Sequence, residues 1–256
     1  MNWKTFYALL SRDGRVARRN LIPTLVQNLL QPLLLTFVFG RVLTTSGMMP
    51  AAYKSVLLPG IMAMSMVLAG VQAVAMPLIA EFQFTREIED RLLAPMETGW
   101  LAVEKVIAGM IQALVAGLVV IPAAWLTLGS GVAINFRHPL EFAVVCLLVA
   151  GFASAGGLLL GCSVGQTQIG LMFSLVLAPM MMFGCAYYPW SALKAFPGLQ
   201  YAVLINPLVY ASEGLRGVLA PQVPHMNLWV VLAALAVIDV VLMVGGLKKF
   251  ESKAVS

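Results

Sequence analysis

The sequence predicts an all-α membrane protein, and three observations carry that prediction. Of its 256 residues 61% are hydrophobic and only 11% charged, whereas a water-soluble domain carries about 25% charged side chains. The mean hydropathy is +0.91. Charge-free stretches recur at lengths close to the roughly 20 apolar residues that one helical crossing needs, so the chain has room for about six crossings and no large soluble catalytic domain. The formal charge of +5 does not point to nucleic acid, because the basic residues flank apolar runs instead of forming one patch.

The elements follow in order. Residues 1–20 place Trp3, Phe6, Tyr7 and Leu10 at helical spacing before Arg12, Arg15, Arg18 and Arg19. That pattern predicts an amphipathic helix in the cytoplasmic interface with its arginines among lipid phosphates; a basic flank without a helix is the alternative. The apolar stretch that follows is too long for a signal-peptide core, so it is expected to stay as an anchor. Spans are expected at about 21–40, 56–80 and 106–128. The charge-free run from Phe142 to Ala192 is too long for one helix, and Gly165-Gln166-Thr167-Gln168 divides it into spans at 142–164 and 169–188. A sixth span covers 228–247, interrupted by Asp239 and closed by Lys248 and Lys249. In the external connection, 189–227, the apolar pieces Leu199 to Leu204 and Leu208 to Leu219 are too short to cross and are expected to dip into the bilayer as re-entrant helices.

Orientation follows from the Lys and Arg excess of cytoplasmic loops. With six spans both termini share a side, and eleven basic residues fall there against five on the other. Both termini are therefore expected in the cytoplasm of a bacterial-type inner membrane. Three cysteines, Cys146, Cys162 and Cys185, lie in apolar stretches without C-x-x-C spacing, and the two histidines, His138 and His225, lie in loops. No metal site, disulfide framework or catalytic constellation is expected.

The segment 81–105 carries the most information. It holds six of the eleven acidic residues on the cytoplasmic side, which a bare connection does not require. Phe84, Ile88 and Leu92 form one apolar stripe, and Arg86, Glu87, Glu89, Asp90 and Arg91 occupy the other faces. Thr85 can cap the start, and Pro95 discourages continuation past Ala94. A short amphipathic helix with both signs of charge suits a groove on a soluble partner; packing on lipid or on its own bundle is the other reading.

REIEDRLLAPM between spans two and three resembles the cytoplasmic coupling segment of the ATP-binding cassette type-2 permeases, the exporter subunits that include polysaccharide, lipo-oligosaccharide and drug-efflux members. The likeness covers nearly the whole chain: the basic amphipathic N-terminal helix, Leu58-Pro59-Gly60 opening span two, and Asn206-Pro207 followed by Arg216-Gly217 in the last external loop. The resemblance implies a permease that pairs with itself or a homologue and with two cytoplasmic ATPase subunits, which would hold the ATP and Mg. The absence of G-x-x-x-x-G-K-[ST] from this sequence accords with a chain that binds no cofactor of its own. Carried over, Arg86, Glu87, Glu89, Asp90, Arg91, Leu92 and Leu93 are the residues expected to touch the ATPase. Met96 departs from the small or branched residue that many relatives carry after the proline, which bears on which ATPase is bound.

Polar and adaptable residues within the spans add candidates. Gln27, Asn28 and Gln31 cluster before Pro32; they either hydrogen-bond across helices or line a pathway for a polar head group. The resemblance places spans one and five near a dimer seam. Met180 to Met182, Tyr187, Tyr188 and Trp190 form either an interfacial belt or a contact surface for a large amphipathic substrate. Ala153, Gly157, Gly161 and Gly165 recur every four residues, the signature of close helix packing within a bundle. Asp239 sits where a charge costs on the order of 2.5 to 3.5 kcal/mol, so it should face protein or water, as a structural or a functional group. An ion-gradient-driven secondary transporter is the rival function, but it requires mid-depth ion sites and paired halves, and the sequence offers only Asp239 and no internal repeat.

Overall fold

The computed structural model describes residues 3–19, 21–50, 52–83, 98–128 and 137–255. Every regular element among them is helical. Helix α1, Trp3–Arg19, leads into α2, Leu21–Thr36, which continues through a π-helical turn at Phe37–Val42 and a last turn at Leu43–Thr45. Then come α3, Tyr53–Gln83; α4, Thr98–Leu128; and α5, Pro139–Ser163. Helix α6, Ile169–Met182, again has a π-helical middle, Met172–Leu177. Two short helices, α7 (Pro197–Ala202) and α8 (Pro207–Leu219), precede α9, Leu228–Val255.

Four helices, α3, α4, α5 and α9, are long and apolar enough to cross a membrane. At 1.5 Å per residue each exceeds the hydrocarbon thickness of about 30 Å. Helix α3 is central: 72% of its apolar window is buried, against 17% for α9. It packs on α4, α5 and α8, while α9 lies against α5 and α8. Without a hydrophobic force between helices in lipid, close backbone approach must supply the attraction, and the small-residue face of α5 supplies it. A Cβ on Gly157 would stand 2.7 Å from the Val71 carbonyl oxygen, and one on Gly161 3.0 Å from the Ala75 Cα. Ala153 meets α3 at Gly70. Gly165 lies beyond the end of α5 and a Cβ there would meet only Gln168, at 3.9 Å. The turn between α5 and α6 is a 3-10 turn, Gln166–Gln168, in the polar interruption.

The two ends of the bundle are fastened differently. At the end carrying the N-terminal helix, the Phe82 and Phe250 rings meet edge to face at 5.8 Å, and the Lys253 ammonium lies 4.8 Å above the Phe82 ring. At the opposite end, Lys54 Nζ donates to the Leu128 carbonyl at 3.1 Å, and the Tyr53 hydroxyl donates to the Tyr187 carbonyl at 2.6 Å. Helix α1 is held by Phe6, buried at 6% exposure and edge-on to Trp100 at 6.4 Å, whereas Trp3 and Tyr7 on neighbouring positions stay exposed.

Candidate functional site

The charged segment expected to dock a partner runs between α3 and α4, and Arg86, Glu87, Glu89, Asp90, Arg91, Leu92 and Leu93 lie outside the described residues. Its frame is described. Lys105, about two turns into α4, is buried at 4% side-chain exposure and reaches Asp13 of α1 at 2.6 Å and Glu81 of α3 at 2.8 Å. Three elements thus meet on one ammonium, whose donors are shared by two carboxylates. Removing one member of such a buried set leaves uncompensated charge, at about 3 to 5 kcal/mol. Glu104, also fully buried, stands next to Lys105. The ion cluster thus ties α1, α3 and α4 together.

The candidate pathway residues are divided. Gln27, Asn28 and Gln31 lie on α2, and their side chains are outside the described ones. Tyr187 borders a cavity of about 550 Å³ between α2, α3 and α6, with Pro32, Met64, Phe173 and Met181. Met180 borders a second cavity of about 590 Å³ on the other side of α6, with Phe183, Asn206 and Pro207. The Tyr188 hydroxyl donates to the Met182 carbonyl at 3.3 Å. Two of the three helices beside the first cavity, α2 and α6, carry a π-helical turn, a departure from α geometry that frequently marks functional sites.

The opposite end is organised by a buried pair of which Arg216 was singled out in the sequence and Glu213 was not. Glu213 and Arg216, one turn apart on α8 and at most 1% exposed, form an ion pair. The Glu213 carboxylate also accepts from the backbone N–H of Trp190 and of Met226, both at 2.9 Å, and Arg216 Nη2 donates to the Cys185 carbonyl at 2.8 Å. Burial lowers the Arg216 pKa from its ordinary value, and the Glu213 carboxylate opposes that shift. The pair pins the chain reversal after α6, where Cys185 takes φ 52 and the Ala186 carbonyl oxygen sits 1.8 Å from where a Cβ on Gly60 would be. Asn206 starts α8: its amide donates to the Met180 carbonyl at 2.7 Å and its oxygen accepts from Leu208 N at 3.0 Å, with Pro207 following in the first turn. The available signal was the i, i+3 spacing of Glu213 and Arg216 in an otherwise apolar helix.

Asp239 faces protein. Its two carboxylate oxygens lie 3.0 and 3.1 Å from where a Cβ on Gly151 of α5 would be, and Oδ1 is buried without a hydrogen-bond partner among the described residues. No three His, Cys, Asp or Glu side chains among the described residues converge as a metal site requires.

Comparison with known proteins gives a consistent picture. The ABC-2 type transporter family matches residues 4–220. The inner membrane transport permease YadH of Escherichia coli strain K12 is 27% identical over 220 residues, covering 84% of this chain and 82% of its own. YadH of Shigella flexneri shows the same identity and coverage. No solved structure matches the chain.

Proposed function

The chain belongs to the ABC-2 type transporter family, and on that premise we propose that it is the permease of an ATP-driven exporter that moves a large amphipathic molecule, a drug, a lipid or a lipid-linked glycan, out of the cell. As a multi-pass ABC transporter membrane subunit of this family it works with separate ATPase subunits. In this reading the permease forms a dimer with itself or a homologue, on two cytoplasmic ATPases that hold ATP and Mg. Six crossings are assigned, α2, α3, α4, α5, α6 and α9, with both termini in the cytoplasm and α7 and α8 as re-entrant helices on the outside. The relative named a transport permease of the inner membrane supports the same location.

The observation that carries the reading is the family match over residues 4–220, and the Lys105 junction supports its mechanism. Closure of the ATPase pair on ATP pushes the segment 84–97, and the Asp13, Glu81 and Lys105 contacts turn that push into a joint movement of α1, α3 and α4. The cavity between α2 and α6, lined by Pro32, Met181 and Tyr187, is assigned to the substrate pathway, as are Gln27, Asn28 and Gln31 of α2. Methionine and aromatic walls adapt to a bulky apolar cargo. The Glu213 and Arg216 pair holds the outer closure.

Reconstitution tests the proposal. The chain in vesicles with an ATPase encoded beside its gene should move a fluorescent amphiphile only when ATP is hydrolysed. Movement by the chain alone, driven by a proton gradient, would establish the secondary-transporter alternative instead.

A further inference from the structure

Beneath α1 the structure leaves a cleft of two adjoining lobes. The outer lobe, about 640 Å³, is bounded by Arg12, Asp13, Gln72, Glu81, Lys105 and Gln112. The inner lobe, about 160 Å³, has an apolar wall that includes Leu10, Ala17, Ala69, Ile111 and Ala116. Asp13, Ala17, Thr24, Ala108 and Gln112 line both, which makes the two one continuous space between α1, α2, α3 and α4.

Its polar lining reaches inward. Gln72 stands nine residues before Glu81 on α3 and Gln112 seven after Lys105 on α4, so the amides lie about 10 to 14 Å deeper along the helices than the ion cluster. Neither amide makes a hydrogen bond among the described residues, although both border the outer lobe. Amides at membrane depth seek a partner, and these two face a space large enough to hold one. The charged groups lining the lobes are Arg12, Arg18 and Lys105 against Asp13 and Glu81, one net positive charge, with Arg18 exposed at the rim.

We propose that this cleft binds an amphiphile with an anionic, phosphate-bearing head group: the head lies where the two lobes join, beside Arg18 and Gln112, and an apolar chain follows the apolar wall of the inner lobe. The orientation is that of an inner-leaflet lipid. The occupant is the transported molecule on its way in or a resident phospholipid of the same chemistry; the first case rests on the permease reading above, whereas binding itself does not.

The test uses the full chain in phosphatidylcholine vesicles containing a trace of phosphatidylglycerol with a diazirine in its acyl chain, or the same probe with a choline head. Illumination and peptide mass spectrometry should place the glycerol probe on residues 10–18 and 108–116, about fivefold above the choline probe, the discrimination that one favourable charge near a membrane surface provides. Ala108→Leu, which narrows the shared wall, should reduce labelling by both probes. Arg18→Gln, a change at an exposed side chain, should abolish the head-group preference and leave folding intact. Equal labelling of the cleft and of the outer face of α9 by both probes, unaltered by either substitution, would overturn the proposal. Repeating the experiment with the ATPase present separates the sources: cleft label lost on ATP turnover marks cargo, and label that persists marks a resident lipid, both of which support the site. Cleft labelling in a chain that moves amphiphile without ATP would keep the site and remove the permease reading.

Discussion

Substituting Arg216 by Leu should loosen the end of the bundle opposite the N-terminal helix more than any other single change there. Arg216 and Glu213 are 0% and 1% exposed at their side chains, so solvent does not screen the loss. Glu213 would keep its two backbone donors from Trp190 and Met226 but lose its counter-charge, and the Cys185 carbonyl would lose its donor. Breaking a buried pair from one side costs about 3 to 5 kcal/mol. At about 2 to 4 °C per kcal/mol for a chain of this size, the melting midpoint should fall by roughly 6 to 20 °C. The three free, buried cysteines, Cys146, Cys162 and Cys185, allow this to be read with a thiol-reactive fluorophore during heating, and Cys185 at the junction should react first. The double variant Glu213→Leu with Arg216→Leu should melt above the Arg216→Leu single, because no orphaned carboxylate remains. A single variant that melts with the parent, or a double variant whose loss equals the sum of the singles, would refute the assignment of this pair as the fastening.

Other perturbations probe the remaining contacts. Lys105→Met should leave Asp13 and Glu81 facing each other, destabilise the junction by about 3 kcal/mol, and raise amide hydrogen exchange across residues 3–19, whereas Lys105→Arg should retain most of the protection. Gly157→Ala should destabilise by about 1 to 3 kcal/mol, because the added methyl meets the backbone oxygen of Val71 at 2.7 Å. Gly156→Ala, one position away, meets only Leu242 at 3.8 Å and should be neutral in the same thermal assay.

Much of the architecture was legible because burial in lipid writes itself into long charge-free runs. The helices α3, α4, α5 and α9 stand where such runs lie, and α1 forms where Trp3, Phe6, Tyr7 and Leu10 repeat at helical spacing. The Ala153, Gly157, Gly161 ladder also declared its role, since only another backbone closely packed would call for that spacing. Contacts between distant residues were not legible. Lys105 and Asp13 are 92 positions apart, and nothing local in either marks the other as partner. Glu213 went unnoticed because a lone acid in an external loop is ordinarily solvated; its burial depends on α8 being enclosed by α3, α5 and α9. The π-helical turns in α2 and α6 likewise have no local sequence signature, since apolar residues fill α and π geometry alike.

The central claim is that the mixed-charge segment between α3 and α4 takes force from a separate ATPase, and co-purification tests it most directly. Parent chain and the pair Glu87→Arg with Arg91→Glu should be expressed with the neighbouring ATPase, membrane insertion checked, and the ATPase retained per permease measured. The account predicts that ATPase retention collapses while insertion and the melting midpoint are unchanged. Equal retention by both chains would contradict it.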